Sequence, residues 1–149
     1  MSLIADILPL QHIVLDLDVG SKKRIFEQAG LLLENEAGLG RADVFECLFA
    51  REKLGTTGLG QGVAIPHGRH AAVKQTIAAF IRVKEPVSFD APDGKPVSLV
   101  FVLLVPENAP GGHLEILSEL AGKFSVKSVR EALLAAQTPA EAHAILTAS

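Results

Sequence analysis

Residues 97–105 read VSLVFVLLV, and this stretch decides the fold because it is apolar at every position except Ser98. A strand with one solvated face alternates apolar and polar residues, whereas a strand covered on both faces is apolar almost throughout. We therefore expect a strand in the middle of a sheet, with helices on each side. The stretch is far shorter than the roughly 20 apolar residues that a helix needs to cross a bilayer, so it predicts no membrane insertion.

The segments around this strand complete an α/β pattern. Upstream, residues 12–18 (HIVLDLD) alternate like a half-buried strand, and a helix is predicted from Ser21 to a stop at Gly38 and Gly40. Further elements are a helix over 42–54 capped by Gly55, strands over 63–65 and 76–83, a turn at 93–94, and helices over 114–124, 126–135 and from the capping box at 138–141. The pattern predicts a mixed β-sheet flanked by helices on both faces, in one α/β domain spanning residues 1–149.

Composition excludes several classes of protein. Fourteen basic residues stand against 17 acidic ones, for a net charge of −3, which gives no basic excess for nucleic-acid binding. Cys47 is the only cysteine, so neither a disulfide framework nor a thiolate metal cluster is expected, and its apolar context predicts a buried small side chain. The N-terminus lacks the pattern of a signal peptide. We expect a cytoplasmic protein.

The richest motif runs over residues 55–69 and reads GTTGLGQGVAIPHGR. Pro66 fixes the backbone just before His67, and Gly68 leaves room for something bulky just after it. Because a residue that precedes proline is extended, Ile65 is expected to end a strand, which places His67 just past a strand end. The upstream glycines and threonines offer backbone N–H groups and hydroxyls nearby. This setting suits an imidazole that reacts with an anion such as a phosphoryl group.

The other four histidines differ in context. His113 follows the most buried strand and starts a helix, so it is either a second imidazole converging on the pocket of His67 or a helix N-terminal residue in solvent. His70 is a neighbour on the loop whose part in the site stays open. His12 and His143 are expected to have surface or packing roles.

Motifs for other chemistries do not occur. There is no G-x-x-x-x-G-K-[ST], no H-E-x-x-H and no G-x-S-x-G, and the glycines of residues 58–62 do not match the dinucleotide-binding pattern. His67 and His70 lie far in sequence from the carboxylates and cysteine that would suggest zinc. We therefore expect neither a metal nor another cofactor.

Residues 55–69 resemble the active-site signature of the fructose/mannitol-type IIA components of the bacterial phosphoenolpyruvate:sugar phosphotransferase system. The similarity covers nearly the whole chain, including residues 15–17, 45–54 and 113–117, and within the family it is greatest to the nitrogen-regulatory group. The resemblance implies that His67 is the phosphorylated histidine, His113 the second pocket histidine and Arg51 the pocket arginine. Supporting roles around the phosphate fall to Thr56, Thr57 and Gly68, the two hydroxyls being candidates for orienting the ring or the phosphate.

The resemblance also implies partners. The donor is the phosphocarrier HPr or its nitrogen-branch counterpart, charged by enzyme I from phosphoenolpyruvate. The chain is then either a regulator whose targets read its phosphorylation state through the surface around His67, or a relay that passes phosphate to a IIB domain of a fructose- or mannitol-type permease. A binding module with an inactive site is disfavoured, because His67, His113 and Arg51 are all present. The targets and the formation of a homodimer stay open.

Overall fold

The computed structural model describes residues 3–108 and 113–148. In chain order its elements are α1 (Leu3–Ile7), a 3₁₀ turn (Leu10–His12), β1 (Ile13–Leu17), α2 (Lys22–Ala37), α3 (Arg41–Lys53), β2 (Gly58–Gly60), β3 (Val63–Ala64), β4 (His67–His70), β5 (Ile77–Val87), β6 (Val97–Pro106), α4 (His113–Phe124), α5 (Lys127–Ala135) and α6 (Pro139–Thr147). No helix in these ranges is long and apolar enough to span a membrane.

The strands form one mixed sheet in the order β1-β5-β6-β3-β2, and β4 pairs with β6 as well. β5 and β6 are antiparallel, whereas β1 runs parallel to β5 and both β3 and β4 run parallel to β6. The predicted fold class, a mixed sheet between helices, is confirmed.

Alternate residues of β6 enter two separate cores, which explains why this strand is apolar throughout. Leu99, Phe101 and Leu103 pack with α1, α4, α5 and α6 on one face of the sheet. Val100 and Val102 pack with α2 and α3 on the other. The strand is covered on both faces, as the sequence predicts.

β3 and β4 pair one after the other with the same side of β6, with an interruption at residues 65–66. Val63 pairs with Leu99 and His67 with Leu103, so the register along β6 is the same before and after the interruption. Pro66 has no N–H to donate, but its carbonyl accepts from the N–H of Leu103 at 2.9 Å. The prediction that His67 lies just past a strand end is therefore wrong, because pairing with β6 resumes and His67 is the first residue of β4.

The predicted helix boundaries are confirmed where a side chain caps the helix or a glycine ends it. Ser21 accepts from the N–H of Arg24 at 3.2 Å, and Gly38 ends α2 at φ 72°. Thr138 accepts from the N–H of Glu141 at 3.1 Å at the start of α6. α3 ends one residue earlier than expected, with Leu54 rather than Gly55 at the C-cap position. β5 runs four residues beyond its predicted end, and the glycine pair before α4 (111–112) lies outside the described residues.

Candidate functional site

A cleft of about 360 Å³ opens between the C-terminal half of α3, strand β4 and the start of α4. Its lining comes from three elements and the end of β6: Cys47, Ala50, Arg51, Leu54, His67, Gly68, Arg69, Leu103, Val105 and His113. The structure therefore brings His67, His113 and Arg51 around one cleft, although they are far apart in the sequence.

A backbone contact orients the His67 ring. Its Nδ1 lies 2.8 Å from the carbonyl oxygen of Ile65, at the interruption between β3 and β4. A carbonyl can only accept, so Nδ1 carries the proton and Nε2 keeps its lone pair. Within residues 3–108 and 113–148, Nε2 meets no hydrogen-bond partner. The arrangement leaves a nucleophilic nitrogen on a half-buried ring that lines the cleft.

The surroundings of His67 keep its ring neutral. Burial lowers the pKa of His67 below 6.5, and the positive charge of Arg51 and the ring of His113 act in the same direction. The hydrogen bond to Ile65 and the carboxylate of Glu52 raise the pKa, but they do not offset the burial. Because only neutral imidazole has a free lone pair, the site holds the ring in its reactive form at neutral pH.

Arg51 occupies the last turn of α3, beside the glycine-rich segment. Its Nη1 donates to the carbonyl of Gly55 at 2.9 Å, which fixes the side chain against the start of that segment. A guanidinium is planar and has five N–H donors, so one hydrogen bond to the backbone leaves further donors for an anion. Arg51 is therefore placed to contact an anion bound in the cleft.

Glu52, the next residue of α3, is buried and holds the glycine-rich segment through hydrogen bonds to Thr57. Its carboxylate accepts from the backbone N–H of Thr57 at 3.1 Å and from the Thr57 hydroxyl at 2.5 Å. It also pairs with the ammonium group of Lys22 on α2 at 3.2 Å. A buried carboxylate with three donors is well compensated, so Glu52 joins α2, α3 and the glycine-rich segment at one point.

The hydroxyl of Thr56 also has partners in the scaffold. It donates to the carbonyl of Phe89 and accepts from the N–H of Gly58 at 3.0 Å. The structure thus gives Thr56 and Thr57 hydrogen-bond partners other than the imidazole of His67, and these contacts hold the segment that leads to the site.

The space beside Gly68 is filled by α3. A Cβ at this position would collide with Sγ of Cys47 and would lie 3.2 Å from its carbonyl oxygen. The expectation that Gly68 leaves room for a bulky group needs correction, because the glycine lets β4 approach α3. Cys47 is half-buried there, its thiol donates to the carbonyl of Arg69 at 3.2 Å, and burial raises its pKa to about 11.

His113 is the first residue of α4 and contacts Arg69. The Nη2 atom of Arg69 lies 3.2 Å from Nε2 and 3.3 Å from Nδ1 of the His113 ring. Burial, and then the charge of Arg69, lower the pKa of His113. Arg69 was not among the site residues expected from the sequence. The strand period finds it only once residues 67–70 are known to form a strand, because residues two apart on a strand share a face and Arg69 follows His67 by two.

The remaining histidines lie outside the cleft. His12 is buried with Nδ1 2.9 Å from the Ala78 carbonyl, and Nε2 of His143 lies 2.9 Å from the Leu8 carbonyl, so both join elements of the scaffold. His70 accepts from the N–H of Ala72 at 2.9 Å and lies 3.7 Å from the carboxylate of Asp43. Among the described residues, no group of three or more His, Cys, Asp or Glu is placed to hold a metal ion.

The sequence of the chain matches a known family over almost its whole length. The family described as "Phosphoenolpyruvate-dependent sugar phosphotransferase system, EIIA 2" matches residues 6–149. The chain belongs to this family. The resemblance found in the sequence is confirmed.

Relatives within this IIA family carry both regulatory and sugar-related names. A nitrogen regulatory protein of Pseudomonas aeruginosa is 48% identical over 120 residues, which are 80% of this chain and 78% of the relative. The crystal structure of the nitrogen regulatory protein IIA-Ntr of Neisseria meningitidis has a TM-score of 0.93 and 74% identity, covering 98% of this chain and 100% of that one. The crystal structure of the mannitol IIA of Escherichia coli has a TM-score of 0.78 and 26% identity, with 93% and 97% covered.

Proposed function

We propose that residues 1–149 form a single-domain phosphocarrier of the phosphotransferase system that accepts a phosphoryl group on Nε2 of His67. The donor is a phosphorylated HPr-like carrier protein, and the phosphorylation state of His67 signals to other proteins. The observation that carries the proposal is the hydrogen bond from Nδ1 of His67 to the Ile65 carbonyl, because it directs the lone pair to Nε2.

Atoms and charges balance in the transfer, and His67 neither gains nor loses a proton. The lone pair on Nε2 attacks phosphorus, the Nε2–P bond forms, and the N–P bond of the donor breaks so that its electron pair returns to the donor nitrogen. Nδ1 keeps its proton, so the phosphorylated ring carries a positive charge that the Ile65 carbonyl stabilises. The reverse steps pass the group to an acceptor, and no further base is needed.

Charges around the cleft favour a phosphoryl group. Phosphoryl transfer depends mainly on positioning and on stabilising the charge of the equatorial oxygens. Arg51 lines the cleft and supplies a planar fork of donors that matches such oxygens. His113 lines the same cleft and, as a neutral imidazole, has one N–H that can donate to them. Both residues therefore act on the oxygens rather than on phosphorus itself.

The surface around the cleft suits a protein partner. Leu54 at the cleft and Leu114 next to His113 are 84% and 62% exposed, although both side chains are apolar. Exposed apolar side chains near a candidate site are typical of a protein contact. Phosphorylation adds up to about two negative charges at this surface, which is enough to make or break such a contact.

A cytoplasmic regulator is favoured as the biological role. The nitrogen regulatory names of the Pseudomonas and Neisseria relatives support it. The second candidate is a relay to a IIB domain, which the mannitol IIA structure at 26% identity supports.

Mass measurement tests the chemistry. The purified chain is incubated with phosphoenolpyruvate, enzyme I and HPr, and its intact mass is recorded before and after brief acid treatment. The proposal expects one acid-labile phosphoryl group on the wild type and none on His67→Ala. His70→Ala is the matched control, since His70 lies on the same strand but outside the cleft, and it should be labelled like the wild type. An unlabelled wild type, or a labelled His67→Ala, would refute the proposal.

A second experiment separates the regulator from the relay. Phosphorylated chain is mixed with a IIB domain of a mannitol-type permease, and loss of the label is followed. Retention of the label supports the regulator, and rapid transfer supports the relay. For the regulator, His67→Glu and His67→Ala should bind target proteins with different affinities, and equal binding of every target would exclude a charge switch.

A further inference from the structure

Arg69 is a second cation in the cleft besides Arg51. The pairing of β4 with β6 directs its side chain to the cleft. It follows His67 by two residues on β4, and the two pair with Leu103 and Val105 of β6, whose side chains line the same cleft. Residues two apart on a strand lie roughly 6.6 Å apart on one face. An arginine side chain is long enough to cover that separation, so its guanidinium can reach a group attached to the ring of His67.

The backbone of Arg69 is held while its side chain is exposed. β4 keeps its register along β6 at this residue, and the thiol of Cys47 donates to its carbonyl. The side chain lies at the surface and contacts the ring of His113. A change in the contacts of the guanidinium therefore requires no movement of the strand.

The contact between Arg69 and His113 favours the neutral form of the His113 ring. Arginine has only donors, so the ring of His113 must provide the acceptor, and a protonated imidazole has none. Nη2 of Arg69 lies 3.2 and 3.3 Å from the two ring nitrogens of His113, and a neutral imidazole offers one of them as an acceptor. For the guanidinium of Arg69, a neutral imidazole is a weaker acceptor than an anion, because an anion adds the attraction of opposite charges to the hydrogen bond.

We propose that Arg69 is a phosphoryl-binding residue that exchanges partners during the reaction: it holds His113 in the unphosphorylated chain and binds the phosphoryl oxygens once His67 carries the group. This inference rests on the proposed phosphorylation of His67. The exchange releases the ring of His113, which can then turn its N–H towards the phosphoryl oxygens. Arg51, held by the Gly55 carbonyl, contacts the oxygens throughout, whereas Arg69 responds to the phosphorylation state.

The test compares Arg69→Gln and Arg69→Lys with the wild type. The equilibrium constant for transfer from phosphorylated HPr is measured from the labelled fractions of both proteins. Arg69→Gln should lower it roughly tenfold, as expected for one lost hydrogen bond to a charged group. Arg69→Lys should stay within a few-fold of the wild type, because a point charge also binds phosphate. Arg24→Gln is the control: it removes an exposed arginine of α2 that pairs with Glu27 and should change nothing.

A spectroscopic measurement on the wild type keeps the inference testable if Arg69→Gln folds poorly. In ¹⁵N spectra of histidine-labelled protein, the ring nitrogens of His113 should shift when His67 is phosphorylated, as the guanidinium leaves. In Arg69→Gln the unphosphorylated protein should already lack the signature of the bonded acceptor. Labelled wild type with unchanged His113 resonances, or an Arg69→Gln equilibrium constant equal to the wild-type value, would overturn the role of Arg69 alone. Wild type that takes no label on His67 would overturn both proposals.

Discussion

Substitution of Gly68 by alanine tests how β4 and His67 are positioned. The added methyl group would occupy the space of Cys47 Sγ and would lie 3.2 Å from the Cys47 carbonyl. Overpacking of this kind costs about 1–3 kcal/mol. Alanine also restricts the unfolded chain, which returns about 0.4–1 kcal/mol where the backbone allows it. We expect a net destabilisation of about 1–2 kcal/mol.

Urea unfolding measures this change. With a slope of about 1–3 kcal/mol per molar urea, the midpoint should fall by roughly 0.3–2 M. Cys47→Ala removes the atom that the methyl group meets, so the double variant should lose less stability than the two single variants together, with a coupling of about 0.5–3 kcal/mol. The rescue should be partial, because the Cys47 carbonyl stays in place. Gly68→Ala should also take up the phosphoryl group more slowly, since any shift of β4 moves His67.

Gly122→Ala is the matched control. Gly122 lies in α4, where an added Cβ meets nothing within 4 Å. A glycine in a helix is less stable than alanine by about 0.5–1 kcal/mol, so this variant should be slightly more stable than the wild type. If Gly68→Ala unfolds at the wild-type midpoint, or if Cys47→Ala does not reduce its cost, the approach of β4 to α3 is not limited by this contact.

Three further predictions concern other groups at the site. NMR titration of His67 should give a pKa below 6.5, and the rate of phosphoryl uptake should fall as the pH drops through that value, because the protonated ring has no lone pair; a midpoint above 6.5 would contradict this. Glu52→Gln weakens the contacts to Thr57 and Lys22 and should cost about 1–3 kcal/mol in urea unfolding, so an unchanged midpoint would count against the buried network. Cys47, with a pKa of about 11, should react with iodoacetamide at pH 7 at least a hundredfold more slowly than a free cysteine with a pKa of roughly 8.5, and equal rates would show that the thiol is not buried.

The sheet could be predicted from the sequence because the residues of β6 are apolar almost throughout. Its unbroken apolar run requires cover on both faces, and α2, α3 and the four other helices supply that cover. Helix ends were predictable where a local side chain or a glycine determines them, as at Ser21, Gly38 and Thr138. These features depend on neighbouring residues and on burial, both of which a sequence displays.

β4 could not be predicted from local pattern, because its four residues HGRH contain no β-branched or apolar side chain. Pairing with β6 makes it a strand, and that contact joins residues far apart in the chain. Because the sequence predicts a loop here, two features of the site could not be predicted. Arg69 shares a face with His67, and Gly68 packs against Cys47 of α3.

The most direct test of the central claim is to find which ring nitrogen carries phosphorus. The chain is labelled with ¹⁵N-histidine, phosphorylated through enzyme I and HPr, and examined by ¹⁵N and ³¹P NMR. The account predicts that phosphorus couples to Nε2 of His67, while Nδ1 retains its proton and its bond to the Ile65 carbonyl. Phosphorus attached to Nδ1 of His67, or to any other side chain, would contradict it.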